Sequence, residues 1–472
     1  MSVDTRVRAP ERAPTPRPSG SGLFRAVWRW HFFASFLVVP ILLTLAVTGL
    51  IYLFRFQLEP LLQPDLMTVE PPSAGASAAV GAQLQLDAVQ AAYPDATPVS
   101  LTEPAAADRP TTVSIQLPDG SGRDVFVDPY SASVLGDVDP DKTLSGTAAL
   151  IHGELMAGKL GDAVIELAAS WAVVMALTGY YLFFRGRRAR KRARRSGRRD
   201  ARLRSRHGLV GAVVGVGLLG LLASGLPWTG IWGEQVQRLA TANGSSLWST
   251  DPGAISEPTS TLDESLPHSH GGQVPWGMGK SEVPQGKQKK EGVSIADVDT
   301  ALAVADREGL RHPMTVALPG EDAGVFSVIG YAFDAPSDER TVHVDRYDGE
   351  VVSTYGFDDY PLMAKVVSQG IGFHEGRSLG LWSFWGAALM CIGVITLCVT
   401  GPLMWWRRRP RGSGSGAPRG RMPLRSSPLL VAGLVLLGVL LPLFGLSLLL
   451  VLVLDQLVLR RVPRLQRFFN AT

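Results

Sequence analysis

Residues 29–54 read RWHFFASFLVVPILLTLAVTGLIYLF, and the reading of this stretch decides the fold. No Asp, Glu, Lys or Arg interrupts it between Arg29 and Arg55, and it exceeds the ~20 residues that a helix needs to cross hydrocarbon. It nevertheless opens on a histidine, His31, where an apolar side chain would enter lipid at lower cost. Comparable runs lie at about 163–184, 209–231, 379–406 and 429–459. With 46% hydrophobic residues gathered into such blocks, the 472-residue chain reads as a polytopic α-helical membrane protein and not as a soluble enzyme.

The formal net charge of +4 hides a strong local asymmetry. The stretch 185–206, RGRRARKRARRSGRRDARLRSR, would suggest a nucleic-acid patch in a soluble protein. Between two spans the preference of Lys and Arg for the cytoplasmic side explains it better, and no nucleic-acid partner is expected. The Arg-bearing N-terminus and the basic segment after the fourth run then fall on the same, cytoplasmic side. Trp28, Trp30, Trp228, Trp232, Trp405 and Trp406 flank the spans as an interfacial aromatic belt would. Cys391 and Cys398 are the only cysteines and share one apolar run, so no disulfide framework is expected outside. The absence of CxxCH excludes covalent c-type haem attachment.

These signals divide the chain into a disordered cytoplasmic tail (1–22), spans at 23–56, 151–185, 207–232 and 371–407, and basic cytoplasmic stretches at 186–206 and 408–427. Two outward domains occupy 57–150 and 292–370, with a flexible Pro/Gly/Ser-rich insertion at 233–291. Each outward domain shows a helix followed by alternating strands: LQLDAVQAAY then TTVSIQL and RDVFVDPYSASVLG, and SIADVDTALAVADRE then GVFSVIGYAF and RTVHVDRYDGEVVS. Their ends superpose Asp128 on Asp345 and Tyr130 on Tyr347. The last apolar run, 428–459, reads either as one kinked helix or as a hairpin turning near Pro442 and Gly445, and the basic tail 460–472 favours the hairpin.

Spacing reveals an internal repeat. His31 precedes Gly49 by 18 residues and His207 precedes Gly225 by 18, while His152 precedes Gly179 by 27 and His374 precedes Gly401 by 27. The core therefore reads as a 2+2 parallel duplication of helix, outer domain and helix. It places His31 and His207 at the cytoplasmic edge and His152 and His374 at the outer edge. A single histidine at a helix end is ordinarily an interfacial side chain, yet four in two sets of equivalent positions point to ligands. Two imidazoles from facing helices can fill both axial sites of a haem. Because 18 residues make five turns, Gly49 shares a helix face with His31, and Gly225 with His207, leaving a gap for a flat macrocycle or a close helix neighbour. Glu166, inside the second span, is an auxiliary candidate for tuning an outer haem, for proton relay or for a structural role. His268 and His270 form a weak metal-binding pair, and His312 and His343 read as structural.

With these residues assembled, the chain resembles the family built from PepSY domains and their associated transmembrane helices. The resemblance spans roughly 23–410 and rests on RWH...TGLIY, residues 151–185, RHGLVG, VDRYDGEVV, and FHEGRSLGLW...TGPLMWW. It implies two small α+β extracytoplasmic PepSY-like domains on a helical core. It also implies a multi-pass protein of the bacterial plasma membrane with a cytoplasmic N-terminus, similar to iron-regulated ferric-siderophore reductases. Carried over, His31 and His207 would hold an inner haem b and His152 and His374 an outer one. Electrons from an unidentified donor would then reduce a ferric siderophore or another iron chelate. The alternative implied by the same resemblance is a non-enzymatic, membrane-anchored module that binds or regulates an envelope peptidase. The 233–291 insertion and the C-terminal run are extra to the simplest members of that family.

Overall fold

The structure, a computed structural model, describes residues 21–72, 79–188, 191, 195, 199–248, 251, 258–261, 278–287, 296–320, 324–330, 335–409, 415–417 and 428–470. His268 and His270, residues 1–20 of the tail and parts of the basic stretches and the insertion lie outside the described residues. In chain order the first half contains α1 (Ser21–Leu53), the short α2 (Arg55–Leu62) and α3 (Pro64–Met67), α4 (Ala82–Ala92), and strands β1 (Thr97–Thr102), β2 (Thr111–Gln116), β3 (Gly122–Val127) and β4 (Val134–Val138). Helices α5 (Leu144–Glu154), α6 (Gly158–Arg185), α7 (Arg199–Gly225) and α8 (Gly230–Ala242) follow, then a small ribbon of β5 (Pro258–Thr261) and β6 (Glu282–Pro284). The second half continues with α9 (Val298–Arg307), β7 (Thr315–Ala317), β8 (Val325–Ile329), β9 (Arg340–Asp345), β10 (Val351–Gly356), α10 (Leu362–His374) and α11 (Leu381–Arg408). Helices α12 (Pro428–Leu440), α13 (Pro442–Leu454) and α14 (Pro463–Phe469) close the chain.

Among the described residues five helices are long and apolar enough to cross a membrane, so the chain is a polytopic helical membrane protein with a β-sheet region. Four of them, α1, α6, α7 and α11, form a closed ring in which α1 and α7 each touch both α6 and α11. The middle of this bundle is filled by Val38, Leu42, Ala46, Ala172, Val214, Leu218, Leu222 and Val394. Small residues let the helices approach, as transmembrane packing requires. A Cβ on Gly393 would stand only 2.5 Å from Val214, and the Tyr180 hydroxyl passes over Gly215 to donate to the Ala212 carbonyl at 3.0 Å.

The strands of both outward stretches share a single antiparallel sheet of order β10-β9-β8-β7-β1-β2-β3-β4. The expected pair of separate domains is thus joined at β1 and β7, where Ser100, Leu101 and Thr102 face Ala317, Val316 and Thr315. Two sheets would each expose an edge of unpaired backbone groups at this place, and the pairing satisfies both. Helices α4 and α9 lie on one face and share a core in which Val89, Val113 and Val125 meet Ala301, Val316, Val328 and Val342. Strand β2 buries alternate residues, whereas β8 is buried throughout, because its second face is covered by Met278, Val283, Tyr355 and Tyr360. The superposed aspartates make the same turn: Asp128 accepts from Tyr130 N at 2.9 Å and Asp345 from Tyr347 N at 2.8 Å.

The C-terminal apolar run folds as a hairpin, broken at Leu441 before Pro442, with the backbones of Gly438 and Gly445 in contact. Its tip inserts Phe444 beside Trp171, Val174 and Leu226, and Trp171 Nε1 donates to Ser447 Oγ at 2.9 Å. Its tail returns to the arginine-rich end of the bundle, where Arg29 Nη1 donates to the Phe469 carbonyl at 2.9 Å.

Candidate functional site: four imidazoles on four helical ledges

Each helix-end histidine lays its ring on a small ledge of another helix. The ledge has one composition throughout: a carbonyl at position i, a hydroxyl at i+3 and a glycine at i+4, all on one helix face. The four are Leu45–Thr48–Gly49 on α1, Met175–Thr178–Gly179 on α6, Leu221–Ser224–Gly225 on α7 and Leu397–Thr400–Gly401 on α11. His152 Nδ1 lies 3.0 Å from Thr48 Oγ1. His31 Nδ1 lies 3.0 Å from the Met175 carbonyl and 3.1 Å from Thr178 Oγ1. His374 Nδ1 lies 3.1 Å from both the Leu221 carbonyl and Ser224 Oγ, and His207 Nδ1 lies 2.8 Å from Thr400 Oγ1.

Three of the glycines make close room for the rings, and the fourth, Gly401, leaves ordinary contact distance. A Cβ on Gly49, Gly179 or Gly225 would stand 3.2, 3.3 or 3.2 Å from Cε1 of His152, His31 or His374, and one on Gly401 would stand 3.8 Å from that of His207. The gap on the His31 and His207 helices is thus filled by an imidazole from a neighbouring helix.

These bonds fix the tautomer. A carbonyl only accepts, so Nδ1 carries the proton in His31 and His374. The Thr48 and Thr400 hydroxyls donate to the Thr44 and Thr396 carbonyls at 2.8 and 2.7 Å, so their oxygens accept from Nδ1–H of His152 and His207. In all four rings Nε2 is therefore unprotonated, and it makes no hydrogen bond to the described residues. All four side chains are only partly buried. An imidazole held by Nδ1–H with a bare Nε2 is the form that ligates a metal.

His152 and His374 have centroids 6.2 Å apart and perpendicular planes at 90°, at the sheet-side end of the bundle. His31 and His207 both lie at the arginine-rich end. His152 reaches its place from α5, which ends in two left-handed residues, Leu155 and Met156, an uncommon conformation for side chains of this size. His374 is the last residue of α10, and the chain reverses through Gly376 at φ +76°. Trp228 packs on His374 with centroids 6.1 Å apart.

Glu166 stands apart from the histidines. It is 1% exposed, and its Oε2 accepts from Ile231 N at 3.2 Å and Trp232 N at 3.1 Å, capping the start of α8. His343 is wholly buried, with Nδ1 2.9 Å from Ser327 Oγ and Nε2 3.2 Å from Asp251 Oδ2, although the latter contact lacks hydrogen-bond alignment. His312 is exposed and pairs with Glu103 and Asp306. The ledge hydroxyls Thr48, Thr178, Ser224 and Thr400 are the functional residues that sequence reasoning missed. Their signal was the hydroxyl that immediately precedes each of the four glycines. No group of three or more His, Cys, Asp or Glu side chains is arranged to hold a metal ion among the described residues.

Comparison with curated proteins finds no match. The model of the PepSY-associated TM region matches residues 28–408, a span that contains all four ledges and all four imidazoles, and the chain belongs to that family.

Proposed function

We propose that the protein carries electrons across the membrane through two b-type haems, one held by His31 and His207 and one by His152 and His374, and reduces chelated ferric iron outside the cell. The observation that carries this reading is the fourfold ledge, which leaves four imidazoles with Nε2 bare, two of them, His152 and His374, facing each other. The 6.2 Å between the His152 and His374 ring centroids leaves room for one metal centre between them. A pair of imidazoles is too few for a structural zinc site, which takes four protein ligands, whereas it would suit a haem, whose porphyrin would supply the remaining donors.

Haem b, when bound, supplies a one-electron couple. The residues of the chain do the rest. Each Nδ1–H bond to a ledge keeps its ring in the ligating tautomer and orientation. With both histidines of a pair engaged, the centre would favour electron transfer over dioxygen binding. The 18 residues from His31 to Gly49 place the two levels about 27 Å apart at 1.5 Å per residue, close to the thickness of the hydrocarbon. The aliphatic filling makes the interior between the levels apolar.

Recurrence of the ledge in both halves supports descent by a 2+2 duplication, and the shared sheet is consistent with two PepSY-like domains. The clustered arginines support a cytoplasmic N-terminus and a bacterial plasma-membrane location. The unidentified donor then lies at the His31 pair, and a ferric siderophore or another iron chelate at the His152 pair. Taking up one electron per Fe(III) gives Fe(II), which hard oxygen chelators hold less tightly. In the test, reduced full-length protein is mixed with a ferric chelate and a ferrous-specific chromophore. The account expects reoxidation in step with Fe(II) release; protein that stays reduced in the presence of ferric chelates contradicts it. The alternative of an anchored peptidase-binding module is less well supported, since it leaves the four ledges without a role.

A further inference from the structure

One face of α6 carries Asp162, Glu166 and Ser170, one turn apart in the sheet-side half of the helix. Asp162 is half-buried and accepts from Gly230 N at 2.9 Å, while Glu166 and Ser170 are each 1% exposed. One oxygen of Glu166 caps α8. The other, Oε1, is buried without a hydrogen-bond partner among the described residues, and so is Ser170 Oγ. Orphaned polar atoms are costly inside a membrane helix, and no nearby protein group relieves these two. The C-terminal hairpin roofs the site with Phe444 against Trp171 and Val174. Two such atoms on adjacent turns, not bonded to each other, are the anchors that an internal water requires.

We propose that Glu166 and Ser170 bind an internal water reached from the sheet side past Asp162.

The test uses full-length protein in detergent with Ser170→Ala, Glu166→Gln and the double substitution. A shared water makes Ser170→Ala lower Tm by a few degrees and makes the two substitutions non-additive. A neutral or raised Tm, as expected when an orphan hydroxyl is simply deleted, or strict additivity, overturns the water site.

Discussion

The hydroxyl of Thr48 lies 3.0 Å from Nδ1 of His152 and joins the sheet-side end of α1 to α5. The same hydroxyl donates to the Thr44 carbonyl at 2.8 Å, so only its lone pairs remain for the imidazole. Thr48→Val keeps the volume but removes the acceptor. Outer-shell losses of this kind typically cost about 10–100-fold in metal affinity. Haem titration of Thr48→Val should show a loss of this order at one centre only; equal weakening of both would contradict the pairing of His152 with His374.

The glycines are testable independently of any hydroxyl. Gly225 leaves room for the His374 ring, whose Cε1 would stand 3.2 Å from an added Cβ. Gly225→Leu should displace His374 and abolish the sheet-side centre, whereas Gly220→Leu, where an added Cβ meets nothing within 4 Å, should leave it in place. Spectra of the two variants decide this, and similar loss in both would show that bulk in α7, not the ledge, is responsible.

The spans, the pairing of levels and the outer strands Gly122–Val127 and Arg340–Asp345 were legible because hydropathy and alternation act locally. The role of Gly49 was only half legible. Its face could be counted from His31, but the occupant of the gap, His152, comes from 103 residues away in the chain. Strands β1 and β7 were missed because TPVSLT and TVA are short and weakly alternating, and each is held between two neighbours, β2 and β7 for the one and β1 and β8 for the other. The partner of Glu166 was invisible for the same reason, since the start of α8 meets it only in the folded chain.

A second seam between the halves is electrostatic. His312 Nδ1 lies 2.6 Å from Glu103 on the first half, and Nε2 lies 3.3 Å from Asp306 on α9. Partial burial works against the charged ring, but the bonds and charges of Glu103 and Asp306 outweigh it and raise the pKa above its usual value. A raised folded-state pKa contributes stability that is fully present below the unfolded value near 6.5 and is lost as pH rises through the folded value. Thermal melts of wild type and His312→Gln should therefore differ below about pH 6 and converge at alkaline pH. A difference that grows with pH would contradict the contact. Because His312 is half exposed, the effect should be small.

At the base of α10, Arg377 bridges Glu339 at 3.1 Å and Glu375 at 2.6 Å, with the Glu339 side chain 1% exposed. Removing one partner from a buried pair strands the other charge and costs about 3–5 kcal/mol. Arg377→Met should lower stability by that order in denaturant titrations, and adding Glu339→Gln should recover part of it. Recovery of nothing would place the loss in packing instead of charge.

The central claim is that four imidazoles hold two haems. The most direct measurement is haem per polypeptide, with reduced-minus-oxidised spectra, for full-length protein and for His374→Ala and His207→Ala made in haem-sufficient cells. The account predicts two b-type haems in the parent and one in each variant, with different spectra remaining. Folded parent protein without haem, or loss of both haems on replacing a single histidine, would contradict it.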